Sequence, residues 1–95
     1  MRKYQDYLHY PFSCVEKRED KTYIDLFIFL ECMSDGLCGE HISLIIDTDH
    51  PPYTYKSYHP FDKIPFTKLD SMDLKKIKPE EFQKTFDEYF CLDED

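Results

Sequence analysis

The first half of the chain has the hydrophobic and polar patterns of β-strands. "FSCVEKRED" alternates and runs into a polar turn at residues 19–21, and "TYIDLFIFLECM" follows with β-branched and aromatic residues. A second turn, "SDG" at residues 34–36, precedes "LCGEHISLIID", which ends in a short apolar run of strand length. Residues 1–50 are therefore predicted to form a three-stranded antiparallel meander.

The central strand of this meander carries "LFIFL" at residues 26–30, which is apolar on both faces. A strand with that pattern is usually covered on both sides. We expect a C-terminal helix to cover one face and the aromatic segment at residues 50–66 to cover the other.

That segment, "HPPYTYKSYHPFDKIPF", holds four of the six prolines and three of the eight tyrosines. Residues 51–68 are predicted to be a Pro- and Tyr-rich connection or a short edge strand that ends before Pro60. In an edge strand, Tyr53 and Tyr55 would share one face and Tyr58 would lie on the other.

The last third of the chain has the period of a helix. Pro79 suits a first helical turn, and rings follow at helical spacing in "FQKTFDEYF". This pattern predicts an amphipathic helix over residues 79–91 and an acidic tail over 92–95. The preceding "LDSMDLKKIK" could start a short helix at Ser71 or pair as an edge strand. The whole chain is thus predicted to be one α+β domain, 1–95, with a three- to four-stranded mainly antiparallel sheet and the C-terminal amphipathic helix packed on one face.

The net charge of −8 is concentrated in two blocks. Residues 22–50 hold six acidic and no basic groups, and residues 69–95 hold nine acidic and four basic groups. A field of this sign repels nucleic-acid phosphates and anionic lipids and attracts basic proteins. We therefore expect a basic protein partner, with no direct nucleic-acid binding and no membrane association, although such charge also serves solubility alone.

A cytoplasmic location is expected from the apolar pattern. No secretion-type apolar run follows the basic start, and the most apolar stretch, residues 24–30, is interrupted by Asp25 and too short to span a bilayer. In that compartment the four cysteines are expected to be reduced thiols.

The metal-binding and catalytic patterns in the sequence are incomplete. Cys32, Cys38 and His41 lie within ten residues, but the paired C-x2-C spacing of zinc sites is absent. "DTDH" at residues 47–50 lacks the glycine and distal glutamate of a calcium loop. With two glycines and no nucleophile or phosphate-loop motif, the chain is predicted not to be an enzyme and to need no cofactor.

Recognition of another protein is the function that remains. Tyrosine supplies contact area at the cost of two torsions, and a proline-fixed backbone loses little entropy on binding. The predicted contact combines these rings with nearby carboxylates and comprises Asp47, Asp49, Tyr53, Tyr55, Tyr58, Asp87 and Glu88. The alternative is that Tyr53 and Tyr55 only cover the second face of residues 26–30.

In size, acidity, cytosolic character and lack of a catalytic motif, the chain resembles the small immunity proteins of polymorphic and contact-dependent growth-inhibition toxin systems. These proteins share no common motif, so no residue roles transfer. The resemblance implies an inhibitor, monomeric or weakly dimeric, that masks a basic toxin domain, often a nuclease, and whose gene normally follows that of the toxin. The alternatives are a phage-type nucleic-acid mimic and a small metal-binding or enzymatic domain.

Overall fold

The computed structural model describes residues 4–47 and 53–90, with the backbone alone for Tyr53. A 3-10 turn, Tyr4–Tyr7, is followed by strands β1 (Pro11–Lys17), β2 (Lys21–Cys32), β3 (Gly36–Asp47) and β4 (Tyr53–Pro65). Helix α1 (Phe66–Asp70), strand β5 (Lys75–Lys76) and helix α2 (Pro79–Phe90) complete the order. The α+β class and the antiparallel sheet with a C-terminal helix are confirmed.

The described strands form one antiparallel sheet in the order β4-β3-β2-β1-β5. Strands β1, β2 and β3 are the predicted meander. The prediction of three or four strands was too low, because Lys75 and Lys76 pair with Ser13 and Phe12 at the outer edge of β1. A strand of two exposed lysines carries no apolar alternation that a sequence pattern could register.

Strand β4 is longer than predicted. It continues through Pro60 to Pro65, whereas the sequence predicted an end before Pro60. The pairing of β3 with β4 shifts between Gly39 and His41. His59 pairs with His41 and Asp62 pairs with Gly39, so β4 has one extra residue between these two pairs. Such a bulge on an edge strand accommodates a residue without a backbone N–H.

Helix α2 packs on one face of the sheet, as the ring spacing predicted. Phe82 is buried with Leu26, Ile42 and Leu44. Half-buried side chains enclose this cluster, namely Ile24, Ile28, Tyr58, Ile77, Phe86, Tyr89 and Phe90. The predicted helix of residues 79–91 thus agrees with Pro79–Phe90, while Cys91 and the tail 92–95 lie outside the described residues.

The other face of the sheet is covered differently from the prediction. Its core contains Phe27, Phe29, Leu37, Ile64 and Leu69. The covering side chains come from the N-terminal turn and from residues 66–74, namely Tyr4, Tyr7, Leu8, Phe66, Met72 and Leu74. Residues 53–65 cannot lie across this face because they are paired beside β3 in the sheet itself.

Candidate functional site

These covering elements pack on only one end of the second face. At the other end, Ser43, Ile45, Tyr55 and Ser57 line a shallow depression, and Tyr55 is 58% exposed. Strand alternation and register place further side chains on the same side of the sheet. We call this region the open face; it comprises Tyr23, Asp25, His41, Ser43, Ile45, Tyr55, Ser57, His59 and Asp62.

An Asp–His–Asp triad lies where the open face meets the covered core. His41 Nε2 is 2.9 Å from an oxygen of Asp25, and His41 Nδ1 is 2.9 Å from an oxygen of Asp62. The imidazole stacks on the ring of Phe27, with 4.4 Å between centroids, and His59 lies 5.6 Å away. The triad joins β2, β3 and β4 on one side of the sheet.

The two short contacts determine the protonation state of His41. A neutral imidazole donates through only one nitrogen, whereas both nitrogens here face carboxylates, so the imidazolium fits the geometry. Burial alone would lower the pKa of His41, but the hydrogen bonds to Asp25 and Asp62 and the charges of these carboxylates outweigh it and raise the pKa above its ordinary value. With both nitrogens donating, His41 has no lone pair for a general base or a metal ligand.

Two residues of the predicted contact are held inside the structure. Asp47 is 8% exposed and lies 3.8 Å from the ammonium of Lys21. The Tyr58 hydroxyl donates to Glu40 at 2.9 Å, and its ring meets Phe86 edge-on at 4.8 Å. Tyr58 therefore covers the core beneath α2, and burial followed by the Glu40 hydrogen bond raises the pKa of its phenol.

Two further predicted residues lie on the opposite side of the sheet. Asp87 and Glu88 are exposed on α2, and Lys56 Nζ donates to the Tyr89 carbonyl at 2.6 Å. This contact places the acidic end of α2 beside β4, across the sheet from Tyr55. Asp49 and the side chain of Tyr53 lie outside the described residues, so their predicted roles stay predictions.

The three described cysteines are free thiols. Cys32 ends β2 and Cys38 lies near the start of β3, on the two sides of the turn at residues 34–36, while the ring nitrogens of His41 face carboxylates. Burial raises the pKa of the Cys38 thiol, which disfavours the thiolate that metal binding and nucleophilic attack require. Within residues 4–47 and 53–90, no group of three His, Cys, Asp or Glu side chains is arranged to hold a metal ion.

The charge of the open face itself is small. With His41 protonated, the triad carries a net charge of −1. Beside Tyr23, Arg18 pairs with Glu16 at 3.0 Å and lies 5.0 Å from the centroid of the Tyr23 ring. The open face therefore offers rings and hydroxyls in a nearly neutral setting, and the charge of −8 belongs to the chain as a whole.

No protein-family model, curated protein or solved structure matches this chain. Among the helices in the described part of the chain, none has both the length and the apolar character needed to cross a membrane. Function is therefore inferred from the residues of the open face and from the charge around it.

Proposed function

We propose that this protein is a stoichiometric inhibitor that binds a basic protein partner through its open face, in the manner of the small acidic immunity proteins. One observation carries the proposal. Tyr55 is 58% exposed beside Ile45, on a sheet face that the packed elements of the described chain cover only at its other end.

The open face has the composition of a contact surface. Tyr55 and Ile45 are paired residues of adjacent strands, and Ser43 and Ser57 form the next pair on the same side. Aromatic residues at interface centres contribute much of the binding free energy, and hydroxyls supply hydrogen bonds around them. Because these side chains stand on paired strands, their backbone is already ordered before a partner arrives.

Charge contributes to the rate of association. The chain carries −8, and the exposed Asp87 and Glu88 lie across β4 from Tyr55. Long-range attraction steers an oppositely charged protein towards its contact and raises the association rate at low ionic strength. We thus assign affinity mainly to the rings and partner selection mainly to charge.

A protein contact fits better than mimicry of a nucleic acid. A mimic presents ranked carboxylates in place of phosphates, whereas Asp25 and Asp62 of the open face flank an imidazolium and share the surface with Tyr55. The enzymatic alternative finds no support in His41, since both of its ring nitrogens are committed to carboxylates.

Truncating Tyr55 is expected to weaken partner binding. The Tyr55→Ala variant should lose about 2 kcal/mol, or roughly thirtyfold in Kd, because a central ring is removed without disturbing the core. The measurement is a titration against the protein encoded immediately upstream of this chain's gene, the position at which the resemblance implies a toxin. Tyr10→Ala is the matched control, since Tyr10 is 45% exposed near Lys76 at the opposite edge of the sheet. Equal losses in the two variants would contradict the assignment of the contact to the open face.

Ionic strength is expected to slow association. Raising salt from about 0.01 M to 0.15 M shortens the Debye length from roughly 30 Å to 8 Å, so the association rate should fall severalfold while the dissociation rate changes little. Stopped-flow mixing of the same two proteins measures both rates. An association rate that ignores salt would remove the electrostatic part of the proposal.

A further inference from the structure

The Asp–His–Asp triad connects three neighbouring strands through one side chain. Asp25 belongs to β2, His41 to β3 and Asp62 to β4, and both contacts of His41 measure 2.9 Å. Asp62 lies directly beyond the bulge of β4, at the point where the pairing with β3 shifts. The His41 side chain is only 14% exposed, whereas those of Asp25 and Asp62 are 30% and 36% exposed.

We propose that this triad is a proton-controlled clamp on the edge strand β4, which sets how much negative charge the open face presents to a cationic partner. Only the effect of the clamp on partner binding rests on the proposed function; its effect on β4 does not depend on it.

The mechanism follows from the hydrogen-bond capacity of imidazole. Protonated His41 donates from Nε2 to Asp25 and from Nδ1 to Asp62. When the proton leaves to solvent, one ring nitrogen presents a lone pair to a carboxylate oxygen, and that contact is repulsive. Asp62 is the more exposed partner and lies on an edge strand, so it is the carboxylate that turns to solvent. The triad then changes from −1 to −2, and the section of β4 around the bulge loses one of its ties to β3.

The groups that face His41 are few. Asp25 approaches from β2, Asp62 and His59 come from β4, and Phe27 supplies an uncharged stacking surface. Cys14 of β1 is paired with Asp25, one strand further away. Glu40, although adjacent in sequence, accepts a hydrogen bond from Tyr58 on the other side of the sheet. Asp25 and Asp62 are therefore the charges that control the proton on His41.

The direction of the pH effect follows from linkage. Because the carboxylates raise the pKa of His41 in the folded protein, the folded state binds this proton more tightly than the unfolded chain. The stabilisation is complete below the unfolded-state pKa, about 6.5, and is lost as pH rises through the higher folded-state pKa. The clamp thus holds β4 below the unfolded-state pKa of His41 and releases it above the folded-state pKa.

Two measurements on the isolated full chain test the clamp. Nitrogen-15 NMR of the His41 ring should show both nitrogens protonated at pH 6, with a titration midpoint above that of an ordinary histidine. Hydrogen exchange, corrected for its intrinsic pH dependence, should show protection of the β4 amides near Asp62 falling at least about tenfold as pH rises through that midpoint, the value of one charge-assisted hydrogen bond.

Matched variants assign these effects to the triad. Asp62→Asn should lower the His41 midpoint and give, at pH 6, the weaker β4 protection that the wild type shows above its His41 midpoint. Asp35→Asn is the control, because Asp35 also pairs with a β4 side chain, Lys63 at 3.0 Å, without touching His41. An ordinary His41 midpoint, or β4 protection independent of pH, would overturn the clamp.

A decalysine peptide probes the consequence for binding. One additional unit charge at about 4 Å in water corresponds to roughly fivefold in affinity, so in low salt the wild type should bind decalysine about fivefold tighter above the His41 midpoint than below it. His41→Gln, which cannot carry the proton, should lose this dependence, whereas His9→Asn, at an exposed position outside the open face, should retain it. If β4 responds to pH while decalysine binding does not, the clamp stands and its link to the open face as a cation-binding surface fails.

Discussion

Replacing Gly39 with alanine is expected to destabilise the protein strongly. An added Cβ would collide with the backbone carbonyl of Ile28 and would lie 2.7 Å from the Cα of Phe29. Both obstacles are backbone atoms of the paired strand β2, so no side-chain rotation relieves them. Gly39 also stands where the pairings of β3 shift on both sides, towards β2 and towards β4. We expect a loss of at least about 3 kcal/mol, a large part of the roughly 5–15 kcal/mol that stabilises a domain of this size.

Urea denaturation followed by circular dichroism measures this loss. Ser57→Ala is a suitable control, because Ser57 is exposed on β4 and its substitution adds no atoms to the backbone contact. A Gly39→Ala variant with the unfolding midpoint of the wild type would show that β2 and β3 do not approach this closely.

Truncating Phe27 to alanine is the second change with a large expected effect. Phe27 is 2% exposed, and its ring stacks 5.2 Å from that of Phe29 and 4.4 Å from the imidazole of His41. Creating a cavity the size of a phenyl ring in a core of few large rings should lower the free energy of unfolding by about 3–5 kcal/mol. The same substitution removes the surface on which His41 rests, so it should also broaden the NMR signals of the His41 ring.

Comparing the denaturation of Phe27→Ala with that of Tyr55→Ala distinguishes a core residue from a surface residue. The exposed Tyr55 should contribute within about 0.5 kcal/mol to stability, since it lies away from the buried cluster. Comparable losses of stability in the two variants would mean that Tyr55 belongs to the core and not to a binding surface.

Most of the fold follows from periodicities in the sequence. The meander was predictable from runs of strand length and composition between turns in residues 12–46, and α2 was predictable from the helical ring spacing of "FQKTFDEYF". The continuation of β4 beyond Pro60 was not, because a bulge depends on how β4 meets β3 and not on its own residues. The segment that covers the second face of the sheet was predicted wrongly for the same reason. Residues 53–65 pair with β3 at the sheet edge, and the N-terminal turn and residues 66–74 pack on the second face instead.

The candidate site was predictable only in part. Tyr55 was predicted as a contact residue from the proline-rich segment around it. Tyr58 was predicted in the same way, but it lies on the other face of the sheet, which α2 covers. The Asp25–His41 contact could not be found from the turn at residues 34–36, because the pairing of β2 with β3 shifts between Phe29 and Glu31 before Phe27 comes to lie opposite His41. The Asp62–His41 contact could not be found either, because Asp62 faces His41 only after the bulge shifts the register of β4.

Mapping the partner's footprint tests the central claim most directly. The chain, labelled with nitrogen-15, is titrated with the protein encoded immediately upstream, and backbone chemical shifts are followed to saturation. We predict a one-to-one complex whose largest shifts fall on the open face, at Tyr23, Ser43, Ile45, Tyr55 and Ser57. Shifts confined to the outer surface of α2 or to the β5 edge, or the absence of any complex at low salt, would contradict the account.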